Sequence, residues 1–405
     1  MSASAITVQS SLPLTDTVAP GVALFSPLRL RDLTLRNRVV VSPMQMYSVP
    51  GGVVGDWHLV HLGRFALGGA GLVVVEATAV CPEGRSTLHD NGLWNEAQAD
   101  ALRRITDFLR ANGAASAIQL QHAGRKASSQ APWDGFGPLG THDATRDEHA
   151  WQAWGPTSAG WSDAYPPTHP ITEADVGYLL DRYRRSAQLA LRAGFDAIEI
   201  HAAHGYLLHS FLSPLSNTRD DGYGGGRDAR MRLPLEIVSA IREVWPAERP
   251  LMFRMSTVDG VDIGWSLDDS VALATRLSAL GVDVIDCSSG GMNLPSPASL
   301  VARRPGFQVP FARELRARAG IVTMAVGLIR TPEQANAIIA NGDADLVALA
   351  REHLWNPNWA AQAAVQLAAD PEWKLWPRPF GWWLRRRERR NNARHDGSIS
   401  SSGRG

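Results

Sequence analysis

Eight short apolar runs, each followed by a helical stretch, constrain this chain more than any other feature. They fall at residues 38–41, 71–75, 115–120, 195–200, 251–255, 282–286, 321–325 and 345–349. Each is too short for a helix and apolar on both faces, as expected of parallel strands covered on both sides. Between the runs, apolar residues recur at three-to-four spacing. One such stripe is Ala97, Ala101, Leu102, Ile105, Phe108 and Leu109, which stops at Asn112-Gly113. Thr172 with Asp175, and Ser266 with Asp269, have the spacing of capping boxes. Thr331-Pro332 and Asn356-Pro357 read as an N-cap followed by proline at the first helical position. Eight alternations predict an α/β fold, a closed (β/α)8 TIM barrel; an open doubly wound sheet is the alternative.

One connection breaks the rhythm. Residues 127–170, after the third strand, are rich in Gly, Pro, Asp and Trp. A loop of that length in a compact domain is a lid or a binding loop, here one that overhangs the barrel mouth and carries a small hairpin. The chain divides into an N-terminal extension (1–23), the barrel with an aromatic C-terminal segment (24–384) and a basic tail (385–405) expected to fray. The formal net charge is zero, which gives no reason to expect nucleic acid or an anionic membrane as a partner. No apolar run reaches about 18 residues, so no membrane span is expected. Residues 1–22 lack the basic and apolar blocks of a secretory signal. Two cysteines, Cys81 and Cys287, make a disulfide framework improbable and a reducing cytoplasm the default.

In such a barrel the active site is built at the C-terminal strand ends. Those ends carry Ser42, Pro43, Met44, Gln45 and Tyr47; Glu76 and Ala77; Gln119 and His122; His201, His204 and Tyr206; Arg254; Ser288-Ser289-Gly290-Gly291; Gly327; and Ala350-Arg351. Loops after strands seven and eight hold phosphate groups in many barrels. Gly327 allows close backbone approach there, and Arg351 offers a forked cation. A phosphorylated ligand follows, unless Gly327 is a plain turn and Arg351 a surface ion pair. Arg254, in mid-barrel, needs an anion. A flavin ring offers one, with Gln119 at its edge; an internal pair with Glu199 or Glu76 would also serve.

His201 and His204 are three residues apart. They suit metal binding or paired hydrogen bonds to a carbonyl oxygen equally well on spacing, but further metal ligands of sensible geometry are not evident. Tyr206 is then a phenol beside a polarised carbonyl, placed to donate a proton. Only two lysines occur, Lys126 and Lys374, neither at a strand end, which disfavours Schiff-base chemistry.

The runs Ser42-Pro43-Met44-Gln45-Met46-Tyr47, Gln119-Leu120-Gln121-His122-Ala123-Gly124-Arg125-Lys126, His201-Ala202-Ala203-His204-Gly205-Tyr206-Leu207, Leu212-Ser213-Pro214-Leu215-Ser216-Asn217 and Arg219-Asp220-Asp221-Gly222-Tyr223-Gly224-Gly225 resemble the Old Yellow Enzyme family, most closely its YqjM-like and xenobiotic-reductase branch. The resemblance implies non-covalent FMN in the barrel, reduction by NADPH or NADH, and transfer of hydride to an electron-poor alkene. It implies that Ser42, Pro43, Met44, Gln45, Ala77, Gln119, His201, Arg254, Gly327, Ala350 and Arg351 contact FMN. By the same resemblance His201 and His204 bind the substrate carbonyl, Tyr206 protonates the α-carbon, and Tyr47 lines the pocket.

Two positions depart from the pattern. Gln45 stands where the branch has a cysteine, and Ala350 where relatives often have glycine. An amide cannot become a thiolate, so Gln45 is expected to alter the flavin's reduction potential. The segment from Trp376 to Trp383 is similar to the branch's aromatic C-terminus. That implies a homodimer or tetramer in which Trp383 reaches a neighbour's site.

Overall fold

The computed structural model describes residues 22–293 and 301–395. The eight strands close into one parallel barrel: β1 Val39–Val41, β2 Leu72–Ala79, β3 Ala115–Gln121, β4 Ala197–Ala202, β5 Leu251–Ser256, β6 Val284–Ser288, β7 Val322–Ala325 and β8 Leu346–Leu349. Each pairs with its sequence neighbour, and β8 pairs with β1 to complete the ring. Helices cover the outside: α1 Asp56–Leu67, α2 Glu96–Ala111, α3 Glu173–Arg192, α4 Leu207–Leu212, α5 Arg227–Arg242, α6 Leu267–Ala279, α7 Val309–Ala319, α8 Pro332–Ala340, α9 Arg351–Trp355, α10 Trp359–Gln366 and α11 Arg378–His395. Thr172 and Ser266 close capping boxes, and Thr331 caps α8. Asn356 does not begin α10, which is capped at Asn358; the Asn356 carboxamide instead accepts the Asn358 N–H.

The period-two alternation of the strands separates two cores. Val39, Val41, Val73 and Val75 point outward into the layer under the helices. Val40, Leu72, Val74, Ala117, Ala197, Met252, Val284, Met324 and Leu346 point inward, where Leu28, Leu30 and Leu35 of an N-terminal hairpin plug the bottom. Two residues on from these inward positions come Ser42, Glu76, Gln119, Glu199, Arg254 and Asp286, all buried. An apolar floor therefore carries a polar layer directly beneath the mouth.

The loop after β3 carries a small antiparallel turn, where Ser129 bridges Pro138 and the Gln130 and Leu139 N–H groups donate to the Gly137 and Ser128 carbonyls, and further on Trp154–Gly155 and His169–Pro170 pair in parallel. The first part of the basic tail, from Arg385 to His395, lies in helix α11. The extension over residues 1–21 and the tail beyond residue 395 lie outside the described residues.

Candidate active site

Sheet register brings the predicted residues together. Arg254 sits between His201 on β4 and Asp286 on β6, and Gln119 lies beside Glu199. The Arg254 guanidinium is 3.2 Å from Asp286 through Nε and donates through Nη1 to Ser42 Oγ at 3.4 Å. Its carboxylate partner is thus Asp286, not Glu199 or Glu76. Glu199 accepts the Gln119 amide at 2.7 Å. Burial, then the nearby Asp286 charge, pushes the Glu199 carboxyl up to about 8, with Arg254 opposing. Glu76 is spent elsewhere, taking the Met46 N–H at 2.8 Å and His58 Nε2 at 3.1 Å.

Above this layer stand the imidazoles and phenols. The His201 ring meets Tyr206 edge-on at 4.8 Å and His204 at 5.1 Å. His201 Nδ1 accepts the Ala203 N–H at 3.2 Å, which leaves Nε2 as the N–H donor. Burial, then the Arg254 charge, holds both imidazoles well below their ordinary range, so both are neutral. His204 has φ of 60°, and its Nε2 lies 2.6 Å from Ser288 Oγ. That left-handed turn is tight: a Cβ on Gly291 would fall 2.2 Å from His204 Cα. The Tyr206 hydroxyl donates to Gln45 Oε1 at 3.0 Å. Tyr47, also at positive φ, meets Trp133 of the long loop edge-on at 5.8 Å.

Some site residues escaped the sequence reading. Lys126 Nζ donates to the His204 carbonyl at 2.6 Å and lies 3.8 Å from the Trp161 ring centroid. Burial lowers its ammonium to about 7. Its signal was scarcity, one of two lysines in the chain, but strand-end reasoning set it aside. Asp90 and Asp286 carried no motif that marked them.

The far side suits a phosphate. Gly327 has φ of 110°, and a Cβ there would come within 2.7 Å of Gln308 and 2.9 Å of Phe307. Arg351, at the end of β8, makes no hydrogen bond or ion pair among the described residues. A guanidinium without a partner among the described residues, a strand-end glycine and the buried Arg254 cation form a set that fits a flavin mononucleotide. Trp383 is not part of this cluster. It is exposed on α11 and packs edge-on against Trp382 at 4.5 Å.

Residues 23–370 match the family model of the NADH:flavin oxidoreductase / NADH oxidase family. The chain is 42% identical over 351 residues to an NADPH dehydrogenase of Listeria monocytogenes serotype 4a, covering 86% of this chain and 96% of that protein. It is 41% identical over 354 residues to an NADPH dehydrogenase of Geobacillus thermodenitrificans, covering 87% and 96%. It is also similar to the structure of morphinone reductase in complex with tetrahydroNAD, with a TM-score of 0.69, 26% identity and coverage of 87% and 93%. The chain belongs to the NADH:flavin oxidoreductase family, the Old Yellow Enzyme family, and is an FMN-containing, NAD(P)H-dependent oxidoreductase.

Proposed function

We propose that the protein is an ene-reductase that reduces the activated C=C bond of α,β-unsaturated carbonyl or nitro compounds. The observation that carries this is the His201–Tyr206 edge contact at 4.8 Å, over a barrel mouth floored by Arg254. FMN, when bound, would supply the redox chemistry, hydride transfer from NADPH or NADH to the β-carbon of the alkene. Ser42, Pro43, Met44, Gln45, Ala77, Gln119, His201, Arg254, Gly327, Ala350 and Arg351 hold FMN. The His201 Nε2–H binds the substrate oxygen and stabilises the enolate as charge develops there. His204 joins it by exchanging its Ser288 contact for the substrate. Tyr206 gives its proton to the α-carbon, and Tyr47 lines the pocket. Trp383, exposed here, serves a neighbouring copy's site in a homodimer or tetramer. Free, buried Cys81 and Cys287 suit a reducing cytoplasm.

Tyr206→Phe tests the reading. It slows the alkene half-reaction about 100-fold and leaves flavin reduction by NADPH nearly unchanged in anaerobic stopped-flow traces. Equal slowing of both half-reactions would refute the proton-donor role.

A further inference from the structure

We infer that Gln45, held in one orientation by Asp90, is a positioning residue that directs the Tyr206 hydroxyl and keeps its proton in place. The inference rests on the reading of Tyr206 as the proton donor. Asp90 is buried, and as a carboxylate it only accepts hydrogen bonds. Its Oδ2 takes the Ser86 N–H at 2.6 Å and Gln45 Nε2 at 3.0 Å. Its Oδ1 takes the Thr87 N–H at 3.2 Å and the Thr87 hydroxyl at 2.7 Å. An amide has a donor end and an acceptor end. With Nε2 bound to Asp90, Gln45 can offer only Oε1 to Tyr206, and the phenol must donate, as it does at 3.0 Å. A turned amide would set Oε1 against the carboxylate. A chain of three side chains therefore runs from a buried acid to the proton donor. A cysteine at position 45 would have no carbonyl to offer and could not build it.

A hydrogen bond to the neutral form opposes ionisation. Tyr206 is pushed up to about 12, first by burial and next by the Asp90 charge, against a contact from Ser86. Asp90 itself is pushed to about 6 by burial, opposed by Thr87 and Ser86 and aided by Glu76, so it is ionised at neutral pH. Other groups facing this network are Tyr47, Tyr165 and Arg85, with Lys126 5.5 Å from the Tyr206 ring centroid and His201 on its edge.

The test is alkaline titration of the purified protein carrying 13Cζ-tyrosine, followed by NMR. Six tyrosines give six resonances, and the spectrum of Tyr206→Phe assigns the one that matters. Gln45→Met removes the acceptor and raises the Tyr206 ionisation constant about 10-fold. Gln45→Glu keeps an acceptor, adds negative charge and lowers that constant. Asp90→Asn raises it about 10-fold when Gln45 is present, because the amide can now turn. In the Gln45→Met background the same change has a smaller effect, since only the direct Asp90 charge is then lost. Shifts of one sign for Gln45→Met and Gln45→Glu would overturn the inference. So would an Asp90→Asn effect of equal size in both backgrounds, which marks plain through-space charge. If Asp90→Asn fails to fold, the two Gln45 variants still decide by their signs. The titration does not need flavin turnover, so a failed clamp and a failed enzyme assignment give separate results.

Discussion

His201 Nδ1 accepts the backbone N–H of Ala203 at 3.2 Å, and this one bond decides which ring nitrogen carries the proton. The ring is neutral, with its proton on Nε2, because burial and Arg254 hold it well below the usual imidazole range. His201→Ala is expected to lower kcat/KM for 2-cyclohexenone about 100-fold, as for loss of one oxyanion donor. The ring charges only in acid, so the wild-type profile between about pH 6 and 8 shows no His201 inflection. A steady-state pH series on both proteins checks this.

Arg254 is the cation for two buried acids, 3.2 Å from Asp286 and close enough to lower Glu199. Arg254→Met removes that cation, leaving Asp286 without its ion-pair partner. The expected loss is about 3–5 kcal/mol of unfolding free energy, smaller in acid, where the carboxyls escape by protonation. Urea unfolding at two pH values measures it, alongside the amount of flavin retained.

The barrel itself was legible because its signals are local. Each strand run began within two residues of its observed start, since apolar length and flanking glycine are written in adjacent residues, and only the second stopped well short, at residue 75 against Ala79. The polar layer was half legible: Gln119, His201, Arg254 and Tyr206 were marked by strand ends. Which of them pair was not. Gln45 and Tyr206 are 161 residues apart, and Asp286 looked like one more residue of a strand. Which acid meets Arg254 is set by strand register, which a sequence does not state. The parallel pairing of Trp154–Gly155 with His169–Pro170 in the long loop was not foreseen for the same reason.

Glu199 gives a test of sign. Its carboxyl is raised by burial, then by Asp286, to about 8, above the usual carboxylic range. Between those values the folded protein holds a proton that the unfolded chain has lost. Its contribution is therefore full in acid and disappears as pH rises toward 8. Glu199→Gln, neutral throughout, is expected to match wild type near pH 5 and to have a higher Tm by a few degrees above pH 8. Calorimetry across that range reads the difference.

Gly327→Ala places a Cβ where φ is 110° and Gln308 lies 2.7 Å away. It is expected to cost about 1–3 kcal/mol and to loosen flavin at the phosphate end. Thermal unfolding with and without added FMN separates the two effects, since a site that still binds shows the usual stabilisation by ligand.

The central claim is that an FMN in this barrel mouth passes reducing equivalents from NAD(P)H to an activated alkene. The direct measurement is the visible spectrum of the purified protein under anaerobic conditions. The protein is expected to be yellow, to bleach on addition of NADPH, and to regain its colour when 2-cyclohexenone is added. A colourless protein that cannot be reconstituted with FMN, or a bleached one that the enone leaves bleached, would contradict it.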